Sequence, residues 1–485
     1  MIKSLKYISI FTILIAKLST GLGQGLNETK DSLYKYLELA AKNNPAVLQR
    51  FYEYQAALQK VPQAGSLPDP ELTIGVFLKP MELVMGNQTA DIKLMQMFPW
   101  FGTLKAAKDE MSLMANAKYE SFRDAKLQVF YDVQSTWYEL YKINQDILIS
   151  NKNLQILKTI ERLALIRFRT SAGSGSGTAS SSMGSGNAAQ SQSSSSGSSG
   201  MQGMPGGQVV IPPSGSGSSS SLQGNNMGAS SGGSGLADIY RIQIEVGDLE
   251  NNIALLENQK STIAAKFNSY LNRPVRSAVA VADTLRADTM IISLTAISDS
   301  IQRNNPMLSM LQNEQQSLDA RKKMVTRMGY PMVGVGVDYS LISKSEMSVS
   351  PMNGTDMIMP MITATLPIYR KKYKAMRTEA DLLKISTVQN YTATANSLQV
   401  EYFQAAQLYQ DANRRMNLYL NQYQLAKKTL DIMLKSFSAS GSSLTDILRI
   451  QQQTLDYELK QIEAVADYNT SIAWLKRLMA NSKIK

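Results

Sequence analysis

Two long runs of helical periodicity dominate the chain, each preceded by a pair of short alternating segments. Leu398, Ala405, Ala412, Tyr419, Ala426 and Met433 recur every seven residues. Tyr402, Tyr409, Met416, Tyr423, Leu430 and Phe437 recur four residues behind them. This is an a/d seam sustained over about six heptads, the pattern of a coiled coil. Earlier in the chain, Val133, Leu140, Ile147, Leu154 and Phe168 keep the same register more sparsely. Ile239, Ile242, Val246, Leu249, Ile253 and Leu256 continue the three-four spacing. Long helices are therefore predicted over 100–170 and 369–437, with partner helices over 236–272 and 445–480. The first would reach about 100 Å at the α-helical rise. Small Ala and flat Tyr along the seam suit extended packing better than a globular core.

The alternating segments read as strands. "ELTIGVFLK" places Leu72, Ile74, Val76 and Leu78 on one face. "ADIKLMQMFP" sets Ile92 and Leu94 against Asp91 and Lys93. "PMVGVGVDYSL" sets Val333, Val335, Val337 and Tyr339 against Gly334, Gly336 and Asp338. "MIMPMITATLP" sets Ile358, Ile362, Ala364 and Leu366 against Met357, Met359, Met361, Thr363 and Thr365. Hairpins are expected over 70–98 and 331–367, with loops of about ten residues at Pro80–Gln88 and Ser343–Asp356. Each strand has the length that crosses a bilayer when tilted, with one face for lipid and one for water. Two small hairpins packed on helices in a soluble protein are the alternative. Against it, an open four-stranded sheet leaves edges exposed, and lipid forbids such edges. Closure with other chains is then required, and three chains would give a barrel of twelve strands.

The plan is duplicated. "AAKNNPAVLQR" (40–50) returns as "SIQRNNPMLSM" (300–310), and "SGLADIYRIQ" (234–243) returns as "SSLTDILRIQ" (442–451). The first spacing is about 260 residues and the second about 210, so the Ser/Gly-rich tract at 171–235 is an insertion in the first repeat alone. The repeats span 24–292 and 293–485, with a linker at 273–292 and a tip turn at 438–444. The tract is nearly free of aromatic and charged residues and should be disordered.

Composition narrows the chemistry. The 485 residues contain no cysteine and no histidine. Disulfides, thiolate or imidazole metal sites, and histidine-based nucleophilic triads are thereby excluded. No stretch pairs carboxylates in an evident cleft, so the sequence points to no enzyme and calls for no cofactor. The net charge of +11 comes without a nucleic-acid-binding motif. It fits a solvated surface or a flank near anionic lipid. Lys3 and Lys6, the apolar run from Ile8 to Ala16, and small residues around Gly21 and Gly23 read as a secretory signal peptide over 1–23. No later run is long enough for a transmembrane helix.

"LPDPEL" (67–72) before the first strand, "FPWFG" (98–102) after the second, and "SASGSSLTDILRIQ" (438–451) at a helix-to-helix turn occur in order within this repeat. Over nearly the whole mature length the chain resembles the TolC-type outer-membrane efflux proteins. LPDP with FPWFG is similar to the heavy-metal, CusC-like branch. The resemblance implies a homotrimer in the outer membrane of a Gram-negative bacterium, with a twelve-stranded barrel in lipid and twelve helices forming a periplasmic tunnel. It also implies a periplasmic adaptor and an inner-membrane pump of RND type as partners. Two other functions fit the same pattern: the duct of a type I secretion system, and a periplasmic coiled-coil scaffold without a pore.

The repeated decapeptide carries legible turn chemistry. Gly441 permits a reversal, Ser442 and Ser443 offer capping hydroxyls, and Asp446 suits the positive end of the new helix. Arg449 follows at i+3, within reach of Asp446, and Asp238 with Arg241 repeats the spacing. Alone, this describes a capped helix with an exposed ion pair worth under about 1 kcal/mol. The resemblance adds that Asp238, Arg241, Asp446 and Arg449 line a closed aperture, six carboxylates in a trimer. It places Leu236, Gly441, Ser442, Leu444 and Thr445 where an adaptor touches the tip. Methionine thioethers select soft ions such as Cu(I). Met201 and Met204 in the Ser/Gly tract, and Met357, Met359 and Met361 on a strand, are the candidate ligands, with a spacer and flexible packing as the respective alternatives.

Overall fold

The computed structural model describes residues 33–173, 234–281, 284–288, 294–349, 351–438 and 443–480. The expected leader, Met201, Met204, Gly441 and Ser442 lie outside them. Two short helices, α1 (Leu33–Asn43) and α2 (Pro45–Gly65), precede strands β1 (Glu71–Leu83) and β2 (Gly86–Phe98). Next come α3 (Thr103–Gly173) and α4 (Ser234–Tyr270). The second repeat runs α5 (Leu294–Asn304), α6 (Pro306–Met328), β3 (Met332–Ser343), β4 (Met357–Thr365), α7 (Arg370–Ser438) and α8 (Leu444–Leu478).

The two long helices have 71 and 69 residues. Each is longer than 100 Å by the α-helical rise of about 1.5 Å per residue. Both ends of the Ser/Gly tract are helical, since α3 runs to Gly173 and α4 begins at Ser234. Extending an existing helix costs far less than starting one, so low-propensity residues are carried for a turn beyond the packed seam. Beside the sheet, α2, α3, α6 and α7 pack side by side in that order. Toward the far end the order is α4, α3, α8, α7. Only α3 and α7 run through both layers.

The duplication is physical as well as textual. Asn44 and Asn305 each cap a helix that starts with proline, accepting from Ala46 N at 2.9 Å and from Met307 N at 2.9 Å. Proline at the first helical position lacks the N–H that would go unpaired there. Each Asn amide then donates onward. Asn44 bonds Tyr270 O at 2.8 Å, the last residue of α4, and Asn305 bonds Leu478 O at 3.2 Å, the last of α8. "NNP" thus ties the start of one helix to the end of another in both halves.

The core is strung along the helices. Val133, Trp137, Leu140 and Phe267 form one cluster. Ile301, Leu398, Tyr402 and Leu475 form its counterpart in the second repeat. Leu154, Ile160, Ile242, Leu430, Phe437 and Ile447 form a third near the far tip. The heptad residues Leu398, Ala405, Ala412, Ala426, Leu430 and Phe437 are all buried. Phe168 departs from the expected seam and is exposed close to the end of α3.

Candidate functional site

The four strands form one antiparallel sheet in chain order, β1-β2-β3-β4. Among the described residues the outer edges of β1 and β4 are unpaired. The first hairpin is tighter than expected. Both strands run past the anticipated loop and turn at Val84 and Met85, with Gly86 at φ +124°. Glycine meets that backbone without steric cost. The register shift between Val76 and Met81 lets β1 continue through the segment expected to be loop. The second loop, 344–356, lies where expected.

Register decides how the faces align. Leu72 pairs with Leu94 and Leu94 with Val337; Ile74 pairs with Ile92 and Ile92 with Tyr339. Val335 pairs with Ile362 and Tyr339 with Ile358. The four apolar faces therefore coincide on one side of the sheet. That side is open, with Ile74 62 %, Val76 71 % and Ile362 82 % exposed. The other side carries Thr73, Asp91, Lys93, Asp338 and Ser340 beside glycines. Asp91 leans over Gly75, where a Cβ would collide with its carboxylate.

Met357, Met359 and Met361 all lie on this polar side, as their alternation requires. Reading along the chain missed that Met95 and Met97 of β2 share it. Met95 and Met361 flank Gly336, and Met97 and Thr363 flank Gly334. The Met97 sulfur lies 2.5 Å from where a Gly334 Cβ would stand. Adjacent strands are about 4.8 Å apart, and the glycines leave room that the β2 methionines lean over, so Gly334 and Gly336 are buried beneath them. The row on β4 is visible in the sequence, but only pairing across β3 brings Met95 and Met97 of β2 beside it.

At the opposite end, Asp446 and Arg449 form the expected i,i+3 pair at 3.3 Å, well exposed. Arg241 behaves differently from its repeat partner. It donates to Thr445 Oγ1 of the other repeat at 3.1 Å. No ion pair between Asp238 and Arg241 forms among the described residues, contrary to the repeated spacing; the cross-repeat acceptor draws the guanidinium away. Ser443 is the N-cap of α8 by backbone geometry, but its hydroxyl makes no capping bond. Leu444 is buried, whereas its repeat equivalent Leu236 and Thr445 are exposed. The motif glutamines both turn to α3, Gln243 donating to Glu161 at 3.0 Å and Gln451 to buried Asn153. A crevice of about 210 Å³ opens beside Gln451, between α3, α4 and α8, with Glu245 and Asp248 on its wall.

A charged cluster sits midway along the helices. Lys142 bonds Glu463 at 2.9 Å, and Arg415 bonds Asp467 at 2.7 Å. Asp146, one turn from Lys142, has a buried Oδ1 without a partner. Burial pushes its carboxyl up to about 6; nearby Lys142 opposes the rise and Glu463 adds to it.

These features define an architecture: a small amphipathic sheet with open edges, set on very long paired helices. It is the fold of outer-membrane channel proteins. The chain is similar to the CmeC outer-membrane channel of Campylobacter jejuni, with TM-score 0.66 and 13% identity over 93% of this chain and 86% of that one. It is similar to CusC, described for its transmembrane channel formation, with TM-score 0.65 and 12% identity over 93% and 92%. For the outer-membrane protein VceC of Vibrio cholerae the TM-score is 0.64, with 12% identity over 92% and 96%. No protein-family model matches the sequence, and no curated protein does. CusC is matched no better than CmeC, so fold similarity does not select the heavy-metal branch.

Proposed function

We propose that the chain is the outer-membrane exit duct of a tripartite efflux pump, acting as a homotrimer. One observation carries this reading: a four-stranded sheet with an exposed apolar face and two unpaired edges stands on helices longer than 100 Å. In water that face is a liability, and in lipid the open edges are forbidden. Three copies joined β4 to β1 remove both problems. The sheet becomes a closed barrel of twelve strands, and the helices continue it as a tunnel into the periplasm. Substrate passes through passively, driven by an inner-membrane pump of RND type through a periplasmic adaptor at the tip.

The tip supplies the gate. Asp238 and Asp446 from three chains place six carboxylates around the narrow end, which favours cations over anions. Arg241 tethers the two repeats there. Leu236, Leu444, Thr445 and the turn holding Gly441 and Ser442 form the adaptor's docking end. Soft-metal export, of the copper or silver type, is the favoured substrate class. Its support is the LPDP and FPWFG pair together with five methionines on the water-facing side of the sheet.

Purified protein tests the duct. It should form detergent-dependent trimers that conduct in planar bilayers. A water-soluble mature monomer without conductance would leave only the scaffold reading.

A further inference from the structure

Immediately below the apolar face, between the end of α6 and the start of α7, lies a cavity of about 580 Å³. Its upper wall is Pro331 and Leu366. Met332 pairs with Thr365, so these two stand opposite each other one step along the ladder. By the two-residue period of a strand they face the same side as Val333 and Ala364, the apolar side. The lower wall is Arg370, Tyr373 and Arg377, which occupy one face of α7 at i, i+3 and i+7. A second cavity of about 520 Å³ adjoins it across Tyr330 and is lined by Trp100, Phe101 and the cations Lys322, Lys323 and Arg327. No carboxylate lines either cavity. Trp100 stacks on Tyr330 at 5.2 Å between them.

At the start of α7 the cations lack the counter-charges that cations further along the same helices possess. Lower on the same helices, Arg321 pairs with Glu379 at 3.1 Å, Lys322 with Asp381 at 2.8 Å and Lys384 with Asp319 at 2.8 Å. Among the described residues no ion pair holds Arg370, Lys371, Lys372, Lys374 or Arg377. Arg377 is half-buried, and its one hydrogen bond goes to Tyr373 O of its own helix at 3.4 Å. A partly desolvated cation without a counter-charge is costly, and so are four cations within five residues.

We infer that this cavity is a binding site for an anionic phospholipid of the inner leaflet. Arg370 and Arg377 hold the phosphodiester, and the acyl chains run up over Leu366, Pro331 and Ile362. The occupant follows from the polarity gradient within one cavity, apolar toward the sheet and cationic toward the helices, which a free anion does not match. The assignment rests on the sheet being membrane-embedded as proposed above. The lipid would fix the depth of the barrel in the bilayer and neutralise the start of α7.

The test uses the full-length protein purified in detergent and offered phosphatidylglycerol or phosphatidylcholine. Bound lipid is counted by mass spectrometry after detergent exchange, and conductance is measured on the same preparation. Wild type should retain phosphatidylglycerol in preference. The double variant Arg370→Gln/Arg377→Gln should retain about tenfold less or lower still, given what each cation contributes at an anionic surface. The charge-matched Lys427→Gln/Lys428→Gln should behave as wild type. Conducting channels with equal retention by wild type and the double variant would overturn the site alone. So would equal retention of the two lipids, or displacement of the lipid by excess inorganic phosphate. Absence of both conductance and bound lipid would overturn the barrel reading and the site together.

Discussion

Arg241 donates to the hydroxyl of Thr445, 204 residues further along the chain, at 3.1 Å, so the two copies of one motif are joined to each other at the tip. Arg449, the repeat equivalent of Arg241, stays on its own helix with Asp446. One arginine therefore couples two helical hairpins while the other decorates one. Removing the coupling should loosen the tip. Arg241→Ala or Thr445→Val is expected to raise single-channel conductance in planar bilayers. Arg449→Ala should change it little, because an exposed i,i+3 pair is worth under about 1 kcal/mol. Equal effects of the two arginine substitutions would refute the distinction.

The proposed aperture role of the tip carboxylates can be tested through their charge. Asp238→Ala/Asp446→Ala is expected to weaken cation preference, read as a smaller reversal potential across a KCl gradient. An unchanged potential would remove these residues from the narrowest point.

The sheet faces can be tested by single charges. Ile74→Lys places a cation on the apolar side and should cost about 2–4 kcal/mol if the site lies near the bilayer midplane. Thr73→Lys, one residue away on the polar side, should fold and insert normally. Refolding into lipid vesicles under a urea gradient measures both. Similar costs at the two positions would count against a lipid-facing side.

Asp146 makes stability depend on pH. Its folded-state carboxyl titrates at about 6, above its ordinary value of 3.8. Between those values the native state binds more protons than the unfolded chain, so stability falls as pH rises from about 4 through 6. Asp146→Asn should remove that penalty. It is expected to stabilise the folded protein by about 1–3 kcal/mol at neutral pH and to change little near pH 4. Thermal unfolding at the two pH values gives the comparison; a gain independent of pH would point to packing instead.

The methionine rows predict selective uptake of soft ions. Met95→Leu/Met361→Leu keeps the bulk of both side chains and removes two thioethers across Gly336. Silver bound per chain should drop, while Met347→Leu, in the loop after β3, should leave it unchanged. Equal binding by all three proteins would return these residues to a packing role.

The elements themselves were legible along the chain, because periods of two and of seven residues are local properties of a strand and a coiled coil. The heptad seam of α7 and the four alternating strands lie close to their expected bounds. The repeated "NNP" segments share one local structure as well, each opening a helix at its proline. Departures came where Arg241 met the distant Thr445 instead of Asp238, and also within single elements. The first hairpin lost its loop to a register shift in β1, and Ser443 capped its helix without using its hydroxyl.

What no local pattern contains is pairing. Alternation states that each strand has an apolar side, but only the β1-β2-β3-β4 register puts all four on one side and gathers Met95, Met97 and Met361 on the other. The same holds for Asn44 reaching Tyr270, and for the cavity beneath Leu366, whose walls come from two helices and two strand ends. Side-chain period along one element is set by backbone geometry within a few residues. Which faces meet is set by long-range packing between elements, and that exists only in the folded chain.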